Sequence, residues 1–307
     1  MTGSGLILID KPDGMTSHDV VARVRKAAGT RKVGHAGTLD PMATGLLIVG
    51  VNSSTRLLTY IVGADKEYLA TIRLGAASTT DDAEGELLPP ATTEELDAVS
   101  GEAIATGILA LTGEIEQVPS SVSAIKVDGK RAYARVRAGE QVELKARAVT
   151  VAEFELLETR RGEGFIDLDV RVVCSSGTYI RSLARDLGAA LDVGGHLTAL
   201  RRTRIGAFSV QDAHELTGLD AQAALIPAVE AATRLFERLD LTEQQAIDLT
   251  HGRRIHLADR EGPGGEPVAA VAPSGALVGL VEFRGKEART LVNFPTDEAV
   301  APSEGSA

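Results

Sequence analysis

The sequence predicts an α+β protein: a mixed, largely antiparallel sheet in a main domain, then a small β domain. Three observations carry that expectation. Strand-like and helix-like segments alternate irregularly, without the repeated strand–helix–strand units of a doubly wound sheet. Residues 149–157 and 165–174 read as a long antiparallel pair about the turn Arg161-Gly162-Glu163-Gly164. Beyond Leu239 only short strands and turns remain. The 307 residues suffice for about two domains, expected at 1–238 and 239–294, with a Pro-, Ser-, Glu- and Ala-rich tail at 295–307 expected to be disordered.

In chain order, residues 6–9 form an apolar strand, closed by the turn cluster Asp10-Lys11-Pro12-Asp13-Gly14. Thr16-Ser17-His18-Asp19 reads as a capping box. Val20, Val21, Val24 and Ala28 follow at helical spacing, and Gly29 stands where a left-handed C-terminal cap belongs. A glycine-studded loop from Gly34 to Gly45 leads into an apolar strand at 46–51. Tyr68, Ala70, Ile72 and Leu74 alternate as a strand with one buried face does. Helical spacing returns over 96–111. Residues 120–150 suggest an inserted hairpin about Asp128-Gly129, a strong turn signal. Ser175-Ser176-Gly177-Thr178 should start a helix reaching about Leu191. In the small domain, Leu241-Thr242-Glu243-Gln244-Gln245 opens a short helix, and 268–272 and 276–283 read as strands.

Composition narrows the function. Hydrophobic residues at 44% and charged residues at 24% allow a sizeable core. A single cysteine, Cys174, excludes an internal disulfide and any cysteine-cluster metal site, and fits a reducing cytoplasm. No apolar run approaches a membrane span, and no basic segment precedes residues 6–9 as in a signal peptide. The net charge of −11 argues against a nucleic-acid partner, but the charge is unevenly distributed. Residues 81–102 hold eight acidic residues and no basic one. Residues 120–150 hold seven basic against three acidic, and 171–204 six against two, so a polyanion could still be drawn locally.

No phosphate-binding glycine loop, dinucleotide fingerprint or His-Glu-x-x-His is present, so any chemistry rests on side chains without a metal or cofactor. Asp40 is the leading candidate: Pro41 biases it away from helix, and Gly34, Gly37 and Gly45 allow close approach of a ligand. Without further context an Asp-Pro also simply initiates a turn. His35 lies in the same loop. Arg181 falls in the first turn of its helix, where the dipole disfavours a cation, so a buried carboxylate is the natural partner. Tyr68 and Tyr179 are two of only four tyrosines.

Taken in order, Asp10-Lys11-Pro12-x-Gly14-Met15-Thr16-Ser17, the run Gly34-His35-Ala36-Gly37-Thr38-Leu39-Asp40-Pro41-x-Ala43-Thr44-Gly45, Asp65-Lys66-x-Tyr68, Pro119-Ser120-x-x-Ser123-Ala124-Ile125-Lys126, Gly177-Thr178-Tyr179-Ile180-Arg181 and Leu200-Arg201-Arg202 closely resemble the bacterial TruB family of tRNA pseudouridine synthases. The resemblance covers about residues 5–210, and a looser one likens the C-terminal unit to a PUA-type RNA-binding domain. It implies a catalytic domain of pseudouridine-synthase type, isomerising the T-loop uridine of tRNA conventionally numbered 55. Asp40 would be the catalytic aspartate, Arg181 its partner, and Tyr68 the stacking tyrosine implicated in removing the C5 proton. His35, Tyr179, Leu200 and Lys11 would serve substrate binding, His35 by filling the space of the flipped nucleotide and Lys11 with Pro12 by supporting the loop. Lys126, Lys130, Arg131, Arg201 and Arg202 would contact RNA. The implied enzyme is a cytoplasmic monomer that needs no cofactor, guide RNA or protein partner. Two other readings fit the same residues, an RNA-folding module with a dispensable site and a guide-RNA-dependent relative. A glycosidase reading finds no second carboxylate in the Asp40 motif.

Overall fold

A computed structural model describes residues 2–120, 126–127, 130–131, 145–257, 262 and 265–294. The chain divides into two compact units. One comprises 1–41, 45–62 and 206–307, the other 42–44 and 63–205.

In the first unit, strand Gly5–Lys11 runs antiparallel to Thr44–Val51, in register from Gly5 opposite Val51 to Lys11 opposite Gly45. Strand Val33–Ala36 pairs with the far half of Thr44–Val51. Helix Ser17–Ala28 begins as its sequence dictates. Thr16 accepts from the Asp19 amide while the Asp19 carboxylate takes the Thr16 amide, and Gly29 closes the helix at φ 63°. Its Val20, Val21, Val24 and Ala28 bury against Ile7, Ile9, Leu47, Val49 and Val51 in one apolar cluster. A few such buried side chains, at roughly 1.5–3 kcal/mol each, fix this layer.

The same unit holds a separate five-stranded sheet, ordered Arg238–Asp240, Val268–Val271, Leu277–Arg284, Glu287–Asn293, Ile255–His256. The first pair is parallel and the others antiparallel. Helix Glu243–Thr250, capped by Thr242 and Gln245, contributes Leu249 to its core beside Val268, Val278, Val281 and Phe283. The two expected strands are present. Glu287–Asn293 was not foreseen, because its charged and apolar residues mix in a segment exposed along one face. The tail expected to be disordered lies outside the described residues.

The second unit is built on an antiparallel sheet ordered Gly195–Ile205, Lys66–Leu74, Phe165–Cys174, Arg147–Gly162, Gly113–Gln117. Lys66–Leu74 alternates as expected. Tyr68, Ala70, Ile72 and Leu74 are buried, while Glu67, Thr71 and Arg73 meet Arg171, Asp169 and Asp167 across the strands on the opposite face. The long hairpin turns on Glu163-Gly164 alone, so the strand runs through Arg161-Gly162, which the sequence placed in the turn. Arg161 is thereby free to reach the carbonyls of Leu96 and Val99.

Those carbonyls end a helix that the apolar spacing had merged with the next. The expected helix over 96–111 is two, Thr93–Ala98 and Gly101–Ala110, because Val99 is extended and Ser100 caps the second through the Ala103 amide. Helix Ile180–Ala190 starts later than expected. Thr178 turns its hydroxyl back to the Ser175 carbonyl and Tyr179 becomes the first cap residue. This helix is seated through glycine. A Cβ on Gly188 would lie 2.2 Å from the Gly195 nitrogen, and one on Gly195 would lie 2.6 Å from the Ala184 carbonyl. Of the insert expected over 120–150, Lys126–Val127 and Lys130–Arg131 pair antiparallel. Residues 147–150 belong instead to strand Arg147–Gly162, paired with Gly113–Gln117, and 121–125, 128–129 and 132–144 lie outside the described residues.

Candidate active site

Asp40 sits half-buried in the loop after strand Val33–Ala36, beyond Gly37 at φ 83°. That left-handed turn needs glycine, since a Cβ there meets the following carbonyl. The loop is held from beneath. Ser17 Oγ donates to the Leu39 carbonyl at 3.0 Å and accepts from the Leu39 amide at 2.9 Å. The ammonium of Lys11, wholly buried, donates to the carbonyls of Pro12 (2.9 Å), Met15 (2.6 Å) and Pro41 (3.0 Å). The Gly14 amide also donates to the Pro41 carbonyl at 3.0 Å. An ammonium has three N–H donors, and these main-chain oxygens take them. Lys11 therefore braces the residue next to Asp40, in keeping with the loop-supporting place expected of it with Pro12. His35 meets His18 edge to face, ring centroids 5.6 Å apart.

In the second unit, strand register assembles cross-strand rows on the buried face of the sheet. Val172, Tyr68 and Arg202 form one row, and Val170, Ala70 and Leu200 the next. Leu200 and Tyr68, expected around a substrate base, thus share a face, and so does Arg202. Leu200 to Arg202 is a two-residue step, whereas Arg201 projects to the other face. Arg202 is 1% exposed. Strand alternation turns it inward beside Tyr68, whereas the sequence placed it among the RNA-binding residues. The same row structure sets Lys66 between Cys174 and Ile205. Burial, with Arg202 adding to it, lowers the Lys66 ammonium to about 8, and burial raises the Cys174 thiol to about 11.

Arg181 lies in the first helical turn, 4% exposed, and it does meet a buried carboxylate. Its Nη1 donates to Asp82 Oδ2 at 3.2 Å, to the Thr80 carbonyl at 2.9 Å and to Ser120 Oγ at 3.4 Å. Ser120 Oγ in turn donates to the Thr80 carbonyl at 3.2 Å. Asp82 is itself organised: Thr80 Oγ1 and the Glu84 amide donate to its Oδ1. Nothing in the sequence separated Asp82 from the acidic run around it. Its signal was the demand of Arg181 for a buried anion, met from 99 residues upstream. Gln117, also buried, brackets Tyr179: its Oε1 accepts the Tyr179 amide at 2.8 Å and its Nε2 donates to the Tyr179 carbonyl at 3.1 Å. Asp40 belongs to the first unit, and Tyr68, Tyr179, Arg181 and Leu200 to the second. Among the described residues, no group of His, Cys, Asp or Glu is arranged to hold a metal ion, and no helix is long and apolar enough to cross a membrane.

The first unit presents a braced aspartate loop and the second a buried arginine and a tyrosine–leucine face, and comparison with known proteins gives the chain a family. The model of the TruB family pseudouridylate synthase N-terminal domain matches residues 25–180. Two C-terminal models follow, the tRNA pseudouridylate synthase B C-terminal domain over 181–241 and the tRNA pseudouridine synthase II C-terminal model over 236–295. The chain is 76% identical over 298 residues to a tRNA pseudouridine synthase B of Leifsonia xyli subsp. xyli, covering 97% of this chain and 99% of that one. It is 54% identical to the protein of that name from Thermobifida fusca, covering 94% and 98%. Among solved structures it resembles a Cbf5-Nop10-Gar1 complex chain, with a TM-score of 0.69 at 28% identity over 95% of this chain and 86% of that one. The chain belongs to the TruB family of pseudouridine synthases, and is an isomerase.

Proposed function

We infer that this enzyme converts the T-loop uridine of tRNA to pseudouridine, acting as a cytoplasmic monomer without guide RNA, protein partner or cofactor. The observation that carries this reading is near-full-length identity of 76% to a tRNA pseudouridine synthase B, and the motifs that hold Asp40, Tyr68 and Arg181 in this sequence resemble those of the family. Uridine and pseudouridine are isomers. The N1–C1′ bond breaks, the ring turns, C5 bonds to C1′, the C5 proton leaves and N1 gains one. No redox equivalent or phosphate is consumed.

Each residue then has a task. Extruding the base costs a few kcal/mol of unstacking, offset by Tyr68 stacking and by His35 filling the gap. Asp40, for which the family resemblance implies Arg181 as partner, promotes glycosidic cleavage, and its charge gains force where water is excluded. Tyr179 and Leu200 retain the detached ring, and Tyr68 takes the C5 proton. The bracing of the Asp40 loop by Lys11 and of Arg181 by Asp82 supports the assignment, since both groups are fixed before substrate arrives. Basic residues of the hairpin at 126–131 and Arg201 bind RNA phosphates, and the C-terminal sheet serves as a PUA-like module.

A second reading, catalysis only within a ribonucleoprotein, is favoured by the likeness to a chain solved in complex with Nop10 and Gar1. One experiment separates them. Bare tRNA transcript carrying tritium at uridine C5 is incubated with the purified protein, and the modified position is mapped. Tritium release with modification confined to the T loop is expected. Release only after adding RNA or protein, or modification elsewhere, would overturn the proposal.

A further inference from the structure

Arg185 lies one helical turn after Arg181, so both guanidinium groups project from one face of helix Ile180–Ala190. Each takes one of two consecutive carboxylates. Arg181 holds Asp82, and Arg185 Nη1 holds Asp81 Oδ2 at 3.2 Å. Adjacent residues on an extended segment would point to opposite sides. Both carboxylates reach the helix here because Asp81 adopts a left-handed backbone, φ 62°, one of three such non-glycine residues among those described. The turn is tied further by the Asp81 amide to the Ser78 carbonyl at 3.3 Å, and by the Asp81 carbonyl accepting from the Leu197 amide at 3.0 Å. Arg185 also donates to Asp186 Oδ1 at 2.8 Å and to the Val118 carbonyl at 2.7 Å, two residues before Ser120.

These contacts give Arg185 a reach that the known motifs do not include. It is 28% exposed in its side chain, yet it joins the helix, the Asp81 turn and the segment leading to Ser120. We propose that Arg185 and Asp81 form an outer clamp that fixes the left-handed turn, thereby holding Asp82 against Arg181 and setting the guanidinium orientation for the reaction. Both are positioning residues, because neither touches the reacting atoms. The inference rests on Arg181 belonging to the catalytic set.

The test measures single-turnover conversion at saturating tRNA transcript, and tRNA affinity separately, for Arg185→Gln, Asp81→Asn, Asp81→Gly and the Arg185→Gln/Asp81→Asn double variant. Asp81→Gly keeps the left-handed backbone while removing the carboxylate. Each single variant is expected to slow conversion by about ten- to a hundredfold with affinity within about twofold, as a small misplacement of a catalytic group does. The double variant should be no slower than the worse single one, because both changes remove one interaction. Wild-type rates in the single variants, losses that multiply in the double variant, or weakened affinity at an unchanged rate would each overturn the proposal. If Arg185→Gln does not fold, the near-isosteric Asp81→Asn decides alone. Arg181→Lys serves as the reference. Should it keep near-normal turnover, the assignment of Arg181 fails first; should it be inactive beside normal Arg185 and Asp81 variants, only the clamp fails.

Discussion

Asp40 and Arg181 are braced by different chemistry. Around Asp40 a buried cation, Lys11, donates to the main-chain carbonyls of Pro12, Met15 and Pro41, so the loop is pinned through its backbone. Around Arg181 the brace is a carboxylate, Asp82, reached through a turn that Thr80, Ser120 and Glu84 also hold. An aspartate braced by main chain stays put when its own charge is altered. An arginine braced by ion pairs stays put only while its partners keep theirs. Substitutions should therefore separate chemistry from architecture cleanly on the first side and blend them on the second.

The largest expected effect tests the first side. Asp40→Asn should cut conversion by more than about a thousandfold while leaving tRNA affinity and folding near wild type, since the change is near-isosteric and Lys11 and Ser17 hold the loop through main-chain atoms. Tritium release alongside filter binding checks this, and appreciable turnover would show that the loop presents some other group. Lys11→Met should do the opposite, costing about 2–4 kcal/mol of stability through the stranded carbonyls of Pro12, Met15 and Pro41. Urea unfolding reads that loss, and a neutral result would mean that water replaces the ammonium. On the second side, Gln117→Leu removes both main-chain bonds to Tyr179 and should cost about 1–2 kcal/mol, with conversion falling alongside stability. Turnover unchanged at reduced stability would detach Tyr179 from the site.

The smallest effect is a pH dependence. With Lys66 lowered to about 8 by burial and by Arg202, the unfolded chain binds more protons than the folded one between about pH 8 and its ordinary value of 10.5. Stability from this group therefore rises with pH across that window and is flat below it. The stability of wild type relative to Lys66→Met should improve from about pH 7.5 to about pH 9.5. Cys174, present in both proteins, largely cancels in the difference. A constant gap would mean that the lysine titrates normally.

Local chemistry made much of this fold readable. The Thr16–Asp19 capping box, the Gly29 cap and the alternation from Tyr68 to Leu74 are short-range signals, and each forms as its residues require. The motifs likewise singled out Asp40, Tyr68 and Arg181 as candidates. What the sequence hid depends on distant partners. Asp82 reads as one acid in a run of eight until Arg181 is seen to bury against it. Gln117 is an unremarked polar residue until it brackets Tyr179. Arg202 was within reach of the sequence, because alternation from the buried Leu200 already turns it inward, but its neighbour Arg201 made the two look like a basic surface pair. The helix over 96–111 failed for another reason, since apolar spacing survives a break that only the Ser100 cap reveals.

The glycine seam under helix Ile180–Ala190 carries a consequence for how this enzyme can change. Where Gly188 rests on Gly194 and Gly195, main chain touches main chain, leaving no side chain whose size could be traded to raise or lower the helix. The height of Arg181 above the strand is thus set by the minimum separation of two peptide backbones. Any adjustment of its reach toward a differently shaped nucleotide would have to come from the turn opposite, one carboxylate at a time.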